Sequence, residues 1–179
     1  MHIRRIVTGH DQTGKSIFLK DSAASRTTEF KNVPGFVTSL LWETSPDASV
    51  PATEGDPAVS ARSWAPPPGG TNLMFITFPP DAVMQSPGFD PAAAGAEYMQ
   101  VLPGLAERFE MDHPGMHTTD SVDYGVLVEG ELHLELDDGV TKKLAPRDVV
   151  IQNGTRHAWR NKSDKPATML FVLVGAKRF

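Results

Sequence analysis

Hydrophobic and polar residues alternate with a period of two along the C-terminal half of this chain. Leu132, Leu134 and Leu136 alternate with Glu131, His133 and Glu135; Val122, Tyr124, Val126 and Val128 alternate with Asp123, Gly125 and Leu127. That period marks half-buried strands, because successive side chains leave a pleated backbone on opposite sides. Asp137-Asp138-Gly139 supplies a hairpin turn, and Val149 to Ile151, His157 to Arg160 and Thr168 to Val174 continue the series. Further upstream, Ile3 to Val7 and Ser16 to Leu19 flank the polar turn Asp11-Gln12-Thr13-Gly14-Lys15 and read as a hairpin. Gly35 to Trp42 and Leu73 to Phe78 are further strands. Between them, residues 45–70 shift to Pro, Ala, Asp and Gly and read as a long surface connection, either a cover for a pocket mouth or an irregular insertion. Helical spacing is confined to Ala92 to Glu110, where Pro103-Gly104 limits it to short turns. Regularly spaced short strands with turn signals predict an all-β sandwich or closed barrel, and no internal repeat is visible.

Composition narrows the function more than the fold. A chain of 179 residues fits one domain, with residues 1–80 adding strands and a long loop to a core at 111–175. The net charge of −5 and the dispersed basic residues argue against nucleic acid, whose phosphates call for a concentrated basic surface. The absence of cysteine removes disulfides, thiolate metal sites and a cysteine nucleophile. The start, Met1-His2-Ile3-Arg4-Arg5, lacks a signal-type apolar stretch, and the apolar run Met169 to Val174 is too short to span a bilayer. The expectation is a cytoplasmic protein with no membrane partner. No nucleophile elbow, phosphate-binding loop or dinucleotide fingerprint is present.

Two stretches carry the chemistry. The first runs from His117 through Thr119 and Asp123 to Gly130; the second runs from Asp148 through Gln152, Gly154 and His157 to Asn161. Together they resemble the paired motifs of the cupin superfamily over residues 116–175. Three positions depart from the usual pattern: Thr119 stands for the second His of the first motif, Arg147 for the Gly of a Gly-Asp turn, and Gln152 for Pro in a segment one residue shorter. The resemblance implies a single antiparallel β-barrel of jelly-roll type with a few helical turns. It also implies a site at His117, Asp123 and His157, three of the four usual metal-ligand positions.

Strand parity agrees with that grouping, since His117, Thr119 and Asp123 share one face of an unbroken strand. Two imidazoles and a carboxylate suit Zn, Fe, Mn or Ni. Thr119, Gln152, Arg156 and Trp159 are the candidate substrate contacts, Arg156 either binding a substrate carboxylate or facing solvent. His113 belongs to a surface loop from which a replacement ligand could come, and Tyr124 reads as packing. The favoured function is a metal-dependent small-molecule lyase or isomerase, with a non-haem iron oxygenase as runner-up. Two alternatives are a metal-free enzyme built on a His–Asp dyad and a non-catalytic ligand-binding or sensor protein. Outward-facing Val122, Tyr124, Val126 and Val128 predict a homodimer in which the N-terminal strands take part; the alternative is that those strands cover the face within one chain.

Overall fold

The computed structural model describes residues 3–51 and 55–179. Its strands are β1 (Arg4–His10), β2 (Ser16–Ala23), β3 (Arg26–Glu29), β4 (Val37–Thr44), β5 (Thr71–Phe78), β6 (Ser121–Glu129), β7 (Leu132–Glu135), β8 (Thr141–Leu144), β9 (Val149–Asn153), β10 (Ala158–Arg160) and β11 (Ala167–Gly175). Two helices, α1 (Pro57–Ser60) and α2 (Pro91–Val101), follow Asp56 and Asp90, whose carboxylates accept from the first helical N–H groups. A separate helical turn at Ala106–Arg108 follows Pro103-Gly104, the interruption expected from the sequence.

Every strand pair is antiparallel. The large sheet has the order β3-β4-β5-β11-β6-β9, and β10-β7-β8 form a smaller one. The two do not merge into one continuously hydrogen-bonded barrel. They are the layers of a jelly roll, with Trp159 of the small sheet packed 5.4 Å from Phe171 of the large one. β1 and β2 pair only with each other, as a third sheet. The base of this hairpin is anchored by Arg5, whose guanidinium donates to the Leu41 carbonyl and to Asp56.

Register sorts the inner face of the large sheet into layers. Ile76, Met169 and Leu127 lie opposite one another; the next layer holds Met74, Phe171, Gly125 and Val150. The third layer holds Asn72, Leu173, Asp123 and Gln152, all buried. The core is therefore apolar at one end and polar at the other. Burying side chains such as Leu127, Leu132 and Met169 stabilises the apolar end by ~1.5–3 kcal/mol each.

The C-terminal part of the proline-rich connection, around Ser63 and Trp64, is packed into the fold, and residues 52–54 lie outside the described residues. Trp64 is buried, its Nε1 donates to the Val101 carbonyl, and its backbone N–H donates to the Pro103 carbonyl. Asn72 Nδ2 donates to the Ser63 and Trp64 carbonyls, so this segment closes the polar end of the sandwich.

The turn before β9 departs from the usual motif in sequence but keeps a glycine-like backbone. Arg147 sits at φ 80°, and the Arg147 N–H donates to the Leu127 carbonyl. A side chain in the left-handed region costs about 1 kcal/mol that glycine avoids. Arg147→Gly is therefore expected to raise unfolding stability by about 1 kcal/mol, measured by urea denaturation.

Candidate functional site

His117 and His157 face each other across the mouth of the small sheet. The two residues form an isolated antiparallel bridge and exchange both backbone hydrogen bonds, at 2.9 and 3.0 Å. Their rings lie 4.2 Å apart between centroids. Each Nδ1 meets the carbonyl two residues earlier, His117 at Gly115 (3.1 Å) and His157 at Thr155 (3.0 Å). A carbonyl only accepts, so each Nδ1 carries the proton and each Nε2 keeps a bare lone pair. Phe109 and Trp159 flank the pair, with centroids 4.7 Å from His117 and 5.6 Å from His157.

Burial disfavours protonation of these rings. His117 is pushed down to about 3 by burial first and by His157 second, against weaker support from the Gly115 carbonyl and Glu110. His157 is lowered by burial, against the Thr155 carbonyl. The unfolded chain therefore binds a proton that native His117 refuses between its ordinary value of 6.5 and about 3. Stability of the metal-free protein should fall as pH drops through that window. His117→Phe should flatten the fall, as measured by urea unfolding at about pH 7 and about pH 5.

Asp123 reaches the interior by a different route from the one strand parity predicts. The strand is broken: His117 makes an isolated bridge to His157, just before β10 of the small sheet, whereas Asp123 lies in β6 of the large one. The chain changes layers between them, and Thr119 and Ser121 are buried on the way. Thr119 Oγ1 donates to Asp123 Oδ2 at 3.4 Å, while Asp123 Oδ1 is buried with no partner. Burial raises this carboxyl above its ordinary range. The Thr119 hydroxyl bond opposes the rise, as does Ser121, which acts without reaching hydrogen-bond geometry.

Neither imidazole bonds Asp123, so the His–Asp dyad expected of a metal-free enzyme is not formed; both Nδ1 atoms are held by backbone carbonyls instead. Nor do the donor atoms of His117, Asp123 and His157 all lie within 4.8 Å of one another. Among the described residues, the one trio that meets this spacing is Glu110, Asp112 and His113 at the surface. Glu110 there is held by both arms of Arg156, at 2.7 Å each.

Arg156, one of the candidate substrate contacts, is engaged by carboxylates: Glu110 and Asp137 hold its guanidinium in ion pairs, and it lines a cleft with His113, Glu135 and Arg160. Gln152 is buried in the polar layer, but its Nε2 donates to Thr155 Oγ1 at 2.6 Å and braces the turn before His157. Trp159 walls the site between His157 and Phe171. Asn161 organises a loop, its Nδ2 donating to the Phe78 and Lys165 carbonyls.

Asn72 was missed by sequence reasoning. It shares a layer with Asp123 and Gln152, and its Oδ1 is buried without a partner. The signal was an inward-parity amide in the apolar run of β5.

Residues 100–173 match the model of the cupin domain family. The chain is 30% identical to phomopsin biosynthesis cluster protein C' from Diaporthe leptostromiformis, over 97% of this chain and 78% of that protein. It is 26% identical to the cupin-domain-containing oxidoreductase fogC from Aspergillus ruber, over 95% of this chain and 71% of that protein. A solved cupin superfamily protein from Desulfitobacterium hafniense shares 15% identity, with a TM-score of 0.37, over 64% of this chain and 72% of that one. The chain belongs to the cupin superfamily. No helix among the described residues is long and apolar enough to cross a membrane.

Proposed function

We propose that this protein is a small-molecule enzyme whose imidazole pair, with Asp123, holds a divalent metal ion, and that it catalyses an oxidation. The carrying observation is the pair of buried, neutral histidines, each fixed through Nδ1 with a bare Nε2. Metal-bound histidines need that arrangement, because a second bond at Nδ1 fixes both tautomer and ring orientation. A base whose proton affinity is pushed down to about 3 is poorly matched to proton transfer near neutral pH. The partnerless Asp123 Oδ1 supplies the negative charge that two neutral ligands lack. Joining the histidines requires a side-chain movement of Asp123, which the long Thr119 contact restrains only weakly.

A divalent ion bound there would supply Lewis-acid polarisation of a substrate oxygen or, as iron, electron transfer. The chain's own groups would orient Asp123 through Thr119 and exclude water with Phe109 and Trp159. The oxidoreductase name carried by the Aspergillus relative supports oxidation over the lyase or isomerase chemistry that the sequence first suggested. The separation of the three donors favours a second reading, a metal-free ligand-binding cupin.

Metal content of freshly purified, untagged protein decides between them. About one iron per chain is the expected result. Zinc, manganese or nickel at that level would return the reaction class to lyase or isomerase. Protein that carries no metal and takes up none on titration would overturn the metal reading.

A further inference from the structure

We propose that Arg178, in the segment that follows β11, is a positioning residue for the histidine–aspartate site, tying its two chain segments together where strand pairing lapses. Those segments are paired by backbone at the His117–His157 bridge and again from Val122–Asn153 onward in the β6–β9 ladder. Thr119 and Gly154 lie between these two points, outside either pairing.

One guanidinium spans that gap. Arg178 Nη2 donates to the Thr119 carbonyl at 2.9 Å and to the Gly154 carbonyl at 3.1 Å, while its Nε donates to Asp120 Oδ1. A guanidinium suits the task, since it is always charged and its donors leave a planar fork in fixed directions. Asp120 in turn is held below the usual carboxylate range by Arg178 first and Arg108 second, so its charge fixes the fork. Gly154 makes the room. It sits at φ 58°, and a Cβ there would stand 3.2 Å from the Thr119 carbonyl oxygen and 3.3 Å from Arg178 Nη2. Backbone brings the segment into place: the Ala176 N–H donates to the Asp120 carbonyl, continuing the pairing of Gly175 with Ser121.

The tied residues are those that aim the site. Thr119 carries the hydroxyl that donates to Asp123 Oδ2, and Gly154 precedes Thr155, whose carbonyl holds His157 Nδ1. Joining the Thr119 and Gly154 carbonyls to one rigid group therefore sets the spacing of Asp123 from the imidazole pair. Loss of the tie should weaken the metal site proposed above, on whose reading this affinity effect rests, by about 10-fold.

Arg178→Met keeps the side-chain length and removes the donors. In the metal-free full chain, amide exchange followed by NMR should run about 10-fold faster at His117 and His157, with the β5 and β11 amides unchanged. Cobalt(II) titration should show the weaker binding, with an altered visible absorption of the bound ion as Asp123 loses its register. Circular dichroism and the thermal midpoint should stay near wild type, because ion pairs of half-exposed groups contribute little to stability. Arg108→Gln is the control. It removes the other cation on Asp120 without touching the Thr119 or Gly154 carbonyl, and should exchange and bind cobalt as wild type does. Wild-type exchange at His117 and His157 in Arg178→Met, or an equal effect from Arg108→Gln, would overturn the assignment. A wild-type chain that takes up no cobalt would count against the proposed function, and the exchange rates would still decide the role of Arg178.

Discussion

Replacing His157 with alanine is expected to lower metal affinity by at least about 100-fold, and His117→Ala by a similar factor, with the fold retained. The magnitude follows from the small donor set. Thr119 stands where the motif usually has a second histidine, so the proposed site would have three protein ligands, and losing one would leave a single imidazole and a carboxylate. The carboxyl is itself raised by burial and would have to ionise without the full cation site to favour it. The fold should survive because the bridge between residues 117 and 157 is made by backbone groups that alanine also carries. Thr119→His should act in the opposite sense and tighten metal binding, since it adds a fourth ligand beside Asp123. Thr119→Ala should have a smaller effect than either histidine variant, because it removes only a 3.4 Å contact that orients Asp123. Metal titration of the stripped protein, read by calorimetry, tests all four. Wild-type affinity in both histidine variants would remove the pair from any metal role.

The sequence made the strands legible and left their partners hidden. Period-two alternation placed β6 and β7 almost to the residue, because one face of each is buried and the pattern is local. Gly130, Gly154 and His157 marked the paired motifs for a similar reason: turns and ligands recur at fixed spacing. Parity failed at residues 118–120, where the chain leaves one sheet for the other; alternation says nothing about which sheet a residue joins. It still grouped His117, Thr119 and Asp123, since all three turn inward on different layers.

Trp64 and Asn72 escaped notice for a related reason. A tryptophan in a proline-rich connection signals nothing until Val101 and Pro103 arrive from a distant segment to bond it. Arg156 shows the converse. Its neighbour His157 suggested a substrate contact, but it is Glu110, 46 residues away in the chain, that takes up the guanidinium.

Gly130→Ala is expected to destabilise the protein by about 3 kcal/mol. Two costs combine. Gly130 sits at φ 84°, where any side chain is strained. A Cβ there would also lie 2.6 Å from the Pro166 carbonyl oxygen and 2.7 Å from Ala167 Cα. Both atoms are backbone, and Ala167 opens β11, the central strand paired with both β5 and β6. Relief would have to come from moving that strand, because no flexible side chain is available to yield. Gly139→Ala separates the two costs. Gly139 has a comparable φ of 69°, but an added methyl group would meet nothing within 4 Å, so its substitution should cost only about 1 kcal/mol. Thermal unfolding should register the larger effect as a fall of roughly 6–12 °C for a chain of this length. Equal losses at the two glycines would mean that backbone strain alone fixes the Gly130 turn, and that its close approach to β11 carries no weight.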